Sequence, residues 1–155
     1  SRKESGGLEV FGSVPEGEYL LPFGEAKVVR PGRDITIVAN LLMVHKSMLA
    51  ARTLSEQGIE AEIIDVRTLA PFDWQTVFES VGRTGRLVIV HEDTLTGGWG
   101  AEVAARVADS CIGYLQGPIR RVTAPDTPVP FAPVMENFYV PSVERIVATV
   151  KAVCQ

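Results

Sequence analysis

The spacing of hydrophobic and polar residues becomes regular at Ala26 and stays regular to the end of the chain. Ala26 to Arg30 reads as a short strand, ended by Pro31-Gly32, a turn dipeptide that lets the chain reverse. Asp34 to Asn40 (DITIVAN) is a β-branched run bounded by polar residues, the pattern of a strand buried on both faces. Met43 to Gln57 then carries Val44, Met48, Ala51 and Leu54 along one side and meets Gly58, which can supply a left-handed helix cap. Glu60 to Val66 reads as the next strand. Asp73 can cap a helix running to about Gly82, in which Trp74, Val77, Phe78 and Val81 follow the spacing of a core-facing stripe. Arg86 to His91 (RLVIVH) is a strand, followed by a Gly-rich turn and a helix from Gly100 to Ser110 with Val103, Ala104, Val107 and Ala108 inward. A last strand, Ile119 to Ala124, leads into a proline-rich loop over 125–141. The chain closes with a helix capped by Ser142 that carries Val143, Ile146, Val147, Val150 and Val153 on its buried side.

Strand and helix alternate four times through short loops, which requires parallel strands joined by right-handed crossovers. The fold class is therefore α/β, a three-layer αβα sandwich. The first strand is joined to the second by a tight turn rather than a crossover, so it should run antiparallel at a sheet edge. Residues 8–24, with Pro15, Pro22, Gly12, Gly17 and Gly24, read as an extended linker. Ser1 to Gly7 is a polar lead-in without an initiator Met or the apolar core of a signal peptide, as expected of a tag remnant or of a boundary cut from a longer chain. The expected organisation is a lead-in and linker over 1–24 and one domain over 25–155.

Composition narrows the partners. With 155 residues, 46% of them hydrophobic, the chain can bury roughly 70% of its unfolded surface and needs no metal or disulfide to hold a core. The longest apolar runs, such as Ile35 to Ala39, stop well short of the ~20 residues that span a bilayer, so no membrane partner is expected. The 15 Lys and Arg are scattered among 19 Asp and Glu without a basic stripe, and a nucleic-acid surface has no support. Cys111 and Cys154 have no CxxC or Cys/His spacing, which fits a reducing, intracellular setting and argues against a zinc or disulfide framework.

In an open parallel sheet, ligands gather beyond the carboxyl ends of the strands. The segment His91 to Gly100 (HEDTLTGGWG) lies there, where backbone N–H groups and a helix dipole could hold an anion. It is GGxG rather than GxGxxG, however, and Glu92, Asp93 and Glu102 would repel phosphate. Glycines that permit a tight turn against a neighbouring backbone are the simpler reading. His91 and Glu92 are adjacent in a strand and point to opposite faces, so they cannot act together on one atom. His45 sits early in a helix as a surface or interface residue, Arg67 at a strand end could grip a carboxylate, with a structural salt bridge the simpler use, and two lone histidines give no support to a self-contained hydrolytic triad. Residues 125–141 (PDTPVPFAPVMENFYVP) hold five of the ten prolines. With Phe131, Met135, Phe138 and Tyr139 this stretch is too apolar for a solvated tail: it packs on its own domain, presents a stiff surface to a partner, or does both.

The chain resembles the C-terminal domain shared by transketolase-like, thiamine-diphosphate-dependent enzymes. Within that group it is similar to the β subunit of the 2-oxo acid dehydrogenase decarboxylase component, of the pyruvate, branched-chain and acetoin class. The resemblance runs from about Val14 to the C-terminus. It is carried by VPEGEYLLPFGEAKVVRPGRDITIVA, by IDVRTLAPFD (Ile64 to Asp73), by VIVHEDTLTGGWGAEVAARVA (Val88 to Ala108) and by RVTAPDTPVPFAPVMENFYVPSVERI (Arg121 to Ile146). The GGxG block is shared with transketolases and deoxyxylulose-phosphate synthases, whereas the first and last segments point to the dehydrogenase β subunit.

The resemblance implies a five-stranded mixed sheet of order 1-3-2-4-5 with strand 1 antiparallel. It implies that thiamine diphosphate and Mg2+ lie between an α subunit and the N-terminal domain of the β subunit, so that no cofactor, metal or catalytic residue belongs to this chain; neither His45 nor His91 matches the family's catalytic histidine. The partners implied are a second β subunit across a two-fold axis, the α subunit in an α2β2 assembly, and the small subunit-binding domain of a lipoyl acyltransferase. Carried over onto this sequence, docking would use Asp126 and the C-terminal end at Gln155, and His91, Glu92, Gly97, Gly98 and Gly100 match the interdomain turn. The implied location is the cytoplasm, or the mitochondrial matrix in a eukaryote. The competing expectations are a free-standing Rossmann-like nucleotide-binding protein that uses the GGWG turn, or the C-terminal domain of another thiamine enzyme such as deoxyxylulose-phosphate synthase.

Overall fold

A computed structural model describes residues 15–155; the expectations for the lead-in and for the first residues of the linker fall outside the described residues. Five strands, β1 (Lys27–Arg30), β2 (Ile35–Ala39), β3 (Ala61–Asp65), β4 (Leu87–Thr94) and β5 (Arg120–Ala124), form one sheet in the order β1-β3-β2-β4-β5. β2, β3, β4 and β5 pair in parallel, and β1 runs antiparallel to β3 at the edge, as both the tight turn and the family resemblance imply. The helices are α1 (Leu42–Ser55), α2 (Trp74–Thr84), α3 (Gly100–Cys111), α4 (Pro133–Tyr139) and α5 (Val143–Cys154).

Every residue of β2 is buried because successive side chains of the strand enter two different cores. Ile35, Ile37 and Ala39 pack with Met43, Ala50 and Leu54 of α1 and with Ile146 and Val150 of α5. Val38, Ile64 and Ile89 pack on the opposite face with Val77 and Val81 of α2 and Val103 and Val107 of α3. Each fully buried Ile or Leu contributes about 1.5–3 kcal/mol, and their number on both faces explains why the strands are near-continuous apolar runs. The turn between β1 and β2 has no alternative to Gly32. A β-carbon there would fall on the backbone of Ala61 and Glu62, while the amides of Arg33 and Asp34 both donate to the Glu60 carbonyl at 3.0 Å.

Three expectations are corrected. The second helix does not stop at Gly82: α2 continues to Thr84, and Gly85, at φ +67°, closes it by donating to the Val81 carbonyl. The cause is polar. Thr36, the second residue of β2 and fully buried, shares hydrogen bonds with Ser80 Oγ (2.6 Å) and Thr84 Oγ1 (2.8 Å), a contact that an apolar stripe does not register. β4 continues past His91 to Thr94, with an irregular register against β5 between Val90 and Thr94. Finally, the stretch 125–141 is not loop throughout. α4 lies within it, begun by Pro133 in the first turn, where a missing N–H costs nothing, and held down by Tyr139, the helix's one buried residue.

The caps expected at Asp73 and Ser142 are present. Asp73 accepts from the amide of Thr76 at 3.1 Å and also ties down the amide of Ala26 at 2.9 Å, and Ser142 accepts from the amide of Arg145 at 3.2 Å. Thr36→Val should cost about 1–3 kcal/mol, because it keeps the shape of the β2 side chain and leaves the Ser80 hydroxyl without its partner in the core. Urea denaturation checks this, and an unchanged midpoint would mean that the hydroxyl cluster contributes nothing.

Candidate functional site

The loops that leave the carboxyl ends of β2, β3 and β4 each contain a residue in the left-handed region: Leu41 (φ +49°), Arg67 (φ +55°) and Gly97 (φ +78°). For the two non-glycine residues such a conformation costs on the order of 1–3 kcal/mol and persists only where the surroundings enforce it. Each loop also exposes an apolar side chain, Leu41 after β2, Leu69 after β3 and Leu95 after β4. Arg67 is exposed, its amide donates to Asp65 Oδ1 at 3.1 Å, and among the described residues no carboxylate lies in ion-pair range of it. The expected salt bridge at Arg67 is therefore corrected, since the turn directs the side chain to solvent. His45 stands exposed on α1, as its sequence position suggests.

His91 occupies the centre of this edge and is completely buried. Its ring packs on the Gly98-Trp99-Gly100 turn. A β-carbon on Gly98 would lie 2.6 Å from His91 Cε1, and one on Gly100 would lie 2.5 Å from His91 Nε2. The glycines are thus a fitted seat for an imidazole as well as for the neighbouring backbone that the sequence predicts, since the Thr94 carbonyl also presses on Gly98. The Trp99 ring lies 5.0 Å from that of His91 and begins an aromatic chain through Phe72, Trp74 and Phe78, which Arg106 joins over the Trp74 ring at 4.5 Å. Neither His91 nitrogen has a hydrogen-bond partner among the described residues. Burial holds the imidazole below its ordinary pKa, Asp93 opposes that shift and Arg121 reinforces it, so His91 is neutral at pH 7.

Glu92 faces the other way, toward Lys46 of α1, whose ammonium donates to the Pro141 carbonyl at 2.8 Å and feels the Glu92 charge. His91 and Glu92 do not converge, as strand alternation requires. The site also gives a direct answer on cofactor fit. The imidazole fills the space under the GGWG turn, and among the described residues no three His, Cys, Asp or Glu side chains stand close enough to hold a metal ion. At this turn the described residues do not fit a thiamine diphosphate and Mg2+ site.

Asp126, in the loop after β5, is exposed and engaged. Its carboxylate accepts from the Thr96 amide at 2.8 Å and from Thr96 Oγ1 at 2.7 Å. These bonds, aided by the charge of Arg121, hold it below the usual carboxylate range. Arg121 in turn donates to the Leu95 carbonyl at 2.8 Å. The β4–α3 turn is therefore fastened to the end of β5 from both sides. Asp126 opens onto a groove of about 570 Å3 whose walls include Arg121, Phe138, Ser142 and Arg145. Gln155 is elsewhere: Ser142 precedes α5 and Gln155 follows it, so this 12-residue helix, about 18 Å long, separates the two expected docking residues.

His91→Gln should remove one component of acid sensitivity. Because burial lowers the folded pKa below the ordinary 6.5, the unfolded chain takes up a proton first as the pH falls. Stability from this group is full above about pH 6.5 and declines below it, toward the folded pKa. The perturbed carboxylates Asp73, Asp126, Glu60 and Glu144, all lowered, act only at more acidic pH. Urea midpoints compared at pH 7.5 and 5.5, followed by tryptophan fluorescence, should fall in the parent and stay flatter in His91→Gln; equal slopes would contradict the assignment.

Comparison with known proteins agrees with this geometry. Residues 24–146 match the family described as transketolase, C-terminal domain. The acetoin:2,6-dichlorophenolindophenol oxidoreductase subunit beta of Cupriavidus necator is 50% identical over 145 residues, covering 94% of this chain and 42% of that protein. The mitochondrial pyruvate dehydrogenase E1 component subunit beta of Ascaris suum is 45% identical over 135 residues, covering 86% of this chain and 37% of that one. Among solved structures, one titled as a split-gene transketolase, inactive beta4 tetramer, superposes with a TM-score of 0.77 at 29% identity, over 86% of this chain and 43% of the other. The chain spans about two fifths of the length of the relatives it matches. By fold, by strand order and by sequence, this chain belongs to the transketolase C-terminal domain family.

Proposed function

We propose that this chain serves as the C-terminal assembly domain, residues 25–155, of the β subunit of a thiamine-diphosphate-dependent 2-oxo acid dehydrogenase. The intact enzyme would carry out oxidative decarboxylation of pyruvate or a related 2-oxo acid, and the 50% identity to an acetoin oxidoreductase β subunit supports membership of that class. The observation that carries the reading is the construction of the carboxyl edge. Where an α/β sheet commonly seats a ligand, this one has an imidazole under its glycine turn and strained loops that turn leucines outward. An edge of that kind suits contact with other protein. The same filling of the turn disfavours a free-standing nucleotide-binding protein, because an imidazole already occupies the space against Gly98 and Gly100.

In this reading thiamine diphosphate and Mg2+ sit outside the chain, between the α subunit and the N-terminal domain of the β subunit. This domain pairs β subunits and helps to dock the subunit-binding domain of a lipoyl acyltransferase. The solved structure of a related chain, described as an inactive beta4 tetramer, supports self-association without chemistry. The enzyme would work in the bacterial cytoplasm or, as the name of the Ascaris relative suggests, in mitochondria; no helix among the described residues is long and apolar enough to cross a membrane.

The proposed docking contacts are Asp126, an exposed carboxylate kept ionised by Thr96, and the chain end at Gln155. A partner that used both would have to reach along α5. Asp126→Lys should weaken binding to the acyltransferase's subunit-binding domain by about tenfold at low salt, with a smaller effect at high salt. Calorimetric titration measures this, and an unchanged affinity at low salt would remove Asp126 from the docking surface.

A further inference from the structure

The groove beside Asp126 continues into a second depression of about 470 Å3, and the two share Pro125 and Phe138. The first lobe is polar, with Arg121, Asp126 and Arg145 around it. The second is apolar, lined by Pro128, Pro130, Val134 and Met135. Val134 and Phe138 are each 82% exposed, an unusual state for large apolar side chains that sit next to each other on one short helix.

The two arginines are held but not neutralised. Arg145 donates through Nη2 to the Thr123 carbonyl at 2.8 Å and Arg121 through Nη1 to the Leu95 carbonyl at 2.8 Å. Each guanidinium has five donors and spends one. Among the described residues neither forms an ion pair within 4 Å. The one carboxylate in the lobe, Asp126, gives an oxygen each to the amide and the hydroxyl of Thr96. A chain of net charge −4 thus presents, at this groove, two positioned cations against one occupied carboxylate.

From this juxtaposition we infer that the groove binds a partner polypeptide through an acidic side chain set beside a large apolar one. The carboxylate meets the free edges of Arg121 and Arg145, where bidentate geometry is available, and the apolar neighbour enters the lobe formed by Val134, Met135 and Phe138. The prolines at 125, 128, 130 and 133 hold that wall in place before binding, so little entropy is lost on contact. This contact goes beyond the docking proposed at Asp126 and asks for the opposite charge on the partner.

An array of immobilised random hexapeptides probed with the labelled chain tests the idea. Bound sequences should be enriched in Asp or Glu within two positions of Leu, Ile, Phe or Met. A soluble peptide made from the best of them should lose about tenfold in affinity between 50 and 500 mM NaCl. Arg145→Glu should abolish its binding, Arg145→Lys should retain part of it, and Met135→Ser should weaken it with the fold unchanged by circular dichroism. Absence of any bound sequence, enrichment in Lys and Arg, undiminished binding by Arg145→Glu, or acetate alone competing as well as the peptide would each overturn the inference. Enrichment in Lys and Arg would at the same time favour the Asp126 contact, so the two readings fail separately.

Discussion

The contact between the His91 ring and the two glycines packed on it organises the functional edge of this domain. Gly98 and Gly100 lie so close to the imidazole that no β-carbon fits at either position, and the closed turn sets where Leu95 and Thr96 emerge. From those two residues the dependence runs outward. Thr96 donates to Asp126 and Leu95 accepts from Arg121, which joins the end of β4 to the loop after β5. That loop leads into α4, and Arg145 of α5 closes the far side by donating to the Thr123 carbonyl. Loss of the His91 seat would therefore be felt at the groove as well as in the core.

Two kinds of unfavourable term are concentrated at this edge: an imidazole buried without hydrogen-bond partners, and two non-glycine residues at positive φ. Neither stabilises the isolated fold. The rest of the domain carries them, through two apolar layers in which β2 is buried on both faces and through the Thr36-Ser80-Thr84 hydroxyl cluster that fixes α2 against the sheet. A fold with a well-packed centre and strained, leucine-bearing loops on one rim is suited to holding a surface in shape for other chains.

Much of the architecture was legible in the sequence, because parallel strands buried on both faces leave unmistakable β-branched runs and because Asp73, Ser142 and Gly58 mark helix ends by local chemistry. Gly82 looked like a stop, but the buried hydroxyl of Thr84 carries α2 past it, and polar contacts in a core have no periodic signature. α4 hid among prolines, although Pro133 stands where a helix begins. At the site, GGWG announced a close approach without naming what approaches, since the contact is made by a strand residue whose orientation depends on the fold. The exposed apolar residues around 125–141 were visible in composition, whereas the separation of Asp126 from Gln155 by the length of α5 required the structure.

The central claim is that this domain shapes protein contacts and leaves cofactor chemistry to the rest of the enzyme. Calorimetric titration of the chain with thiamine diphosphate in the presence of Mg2+ tests it most directly. The account predicts no saturable heat up to millimolar cofactor; binding in the micromolar range would contradict it.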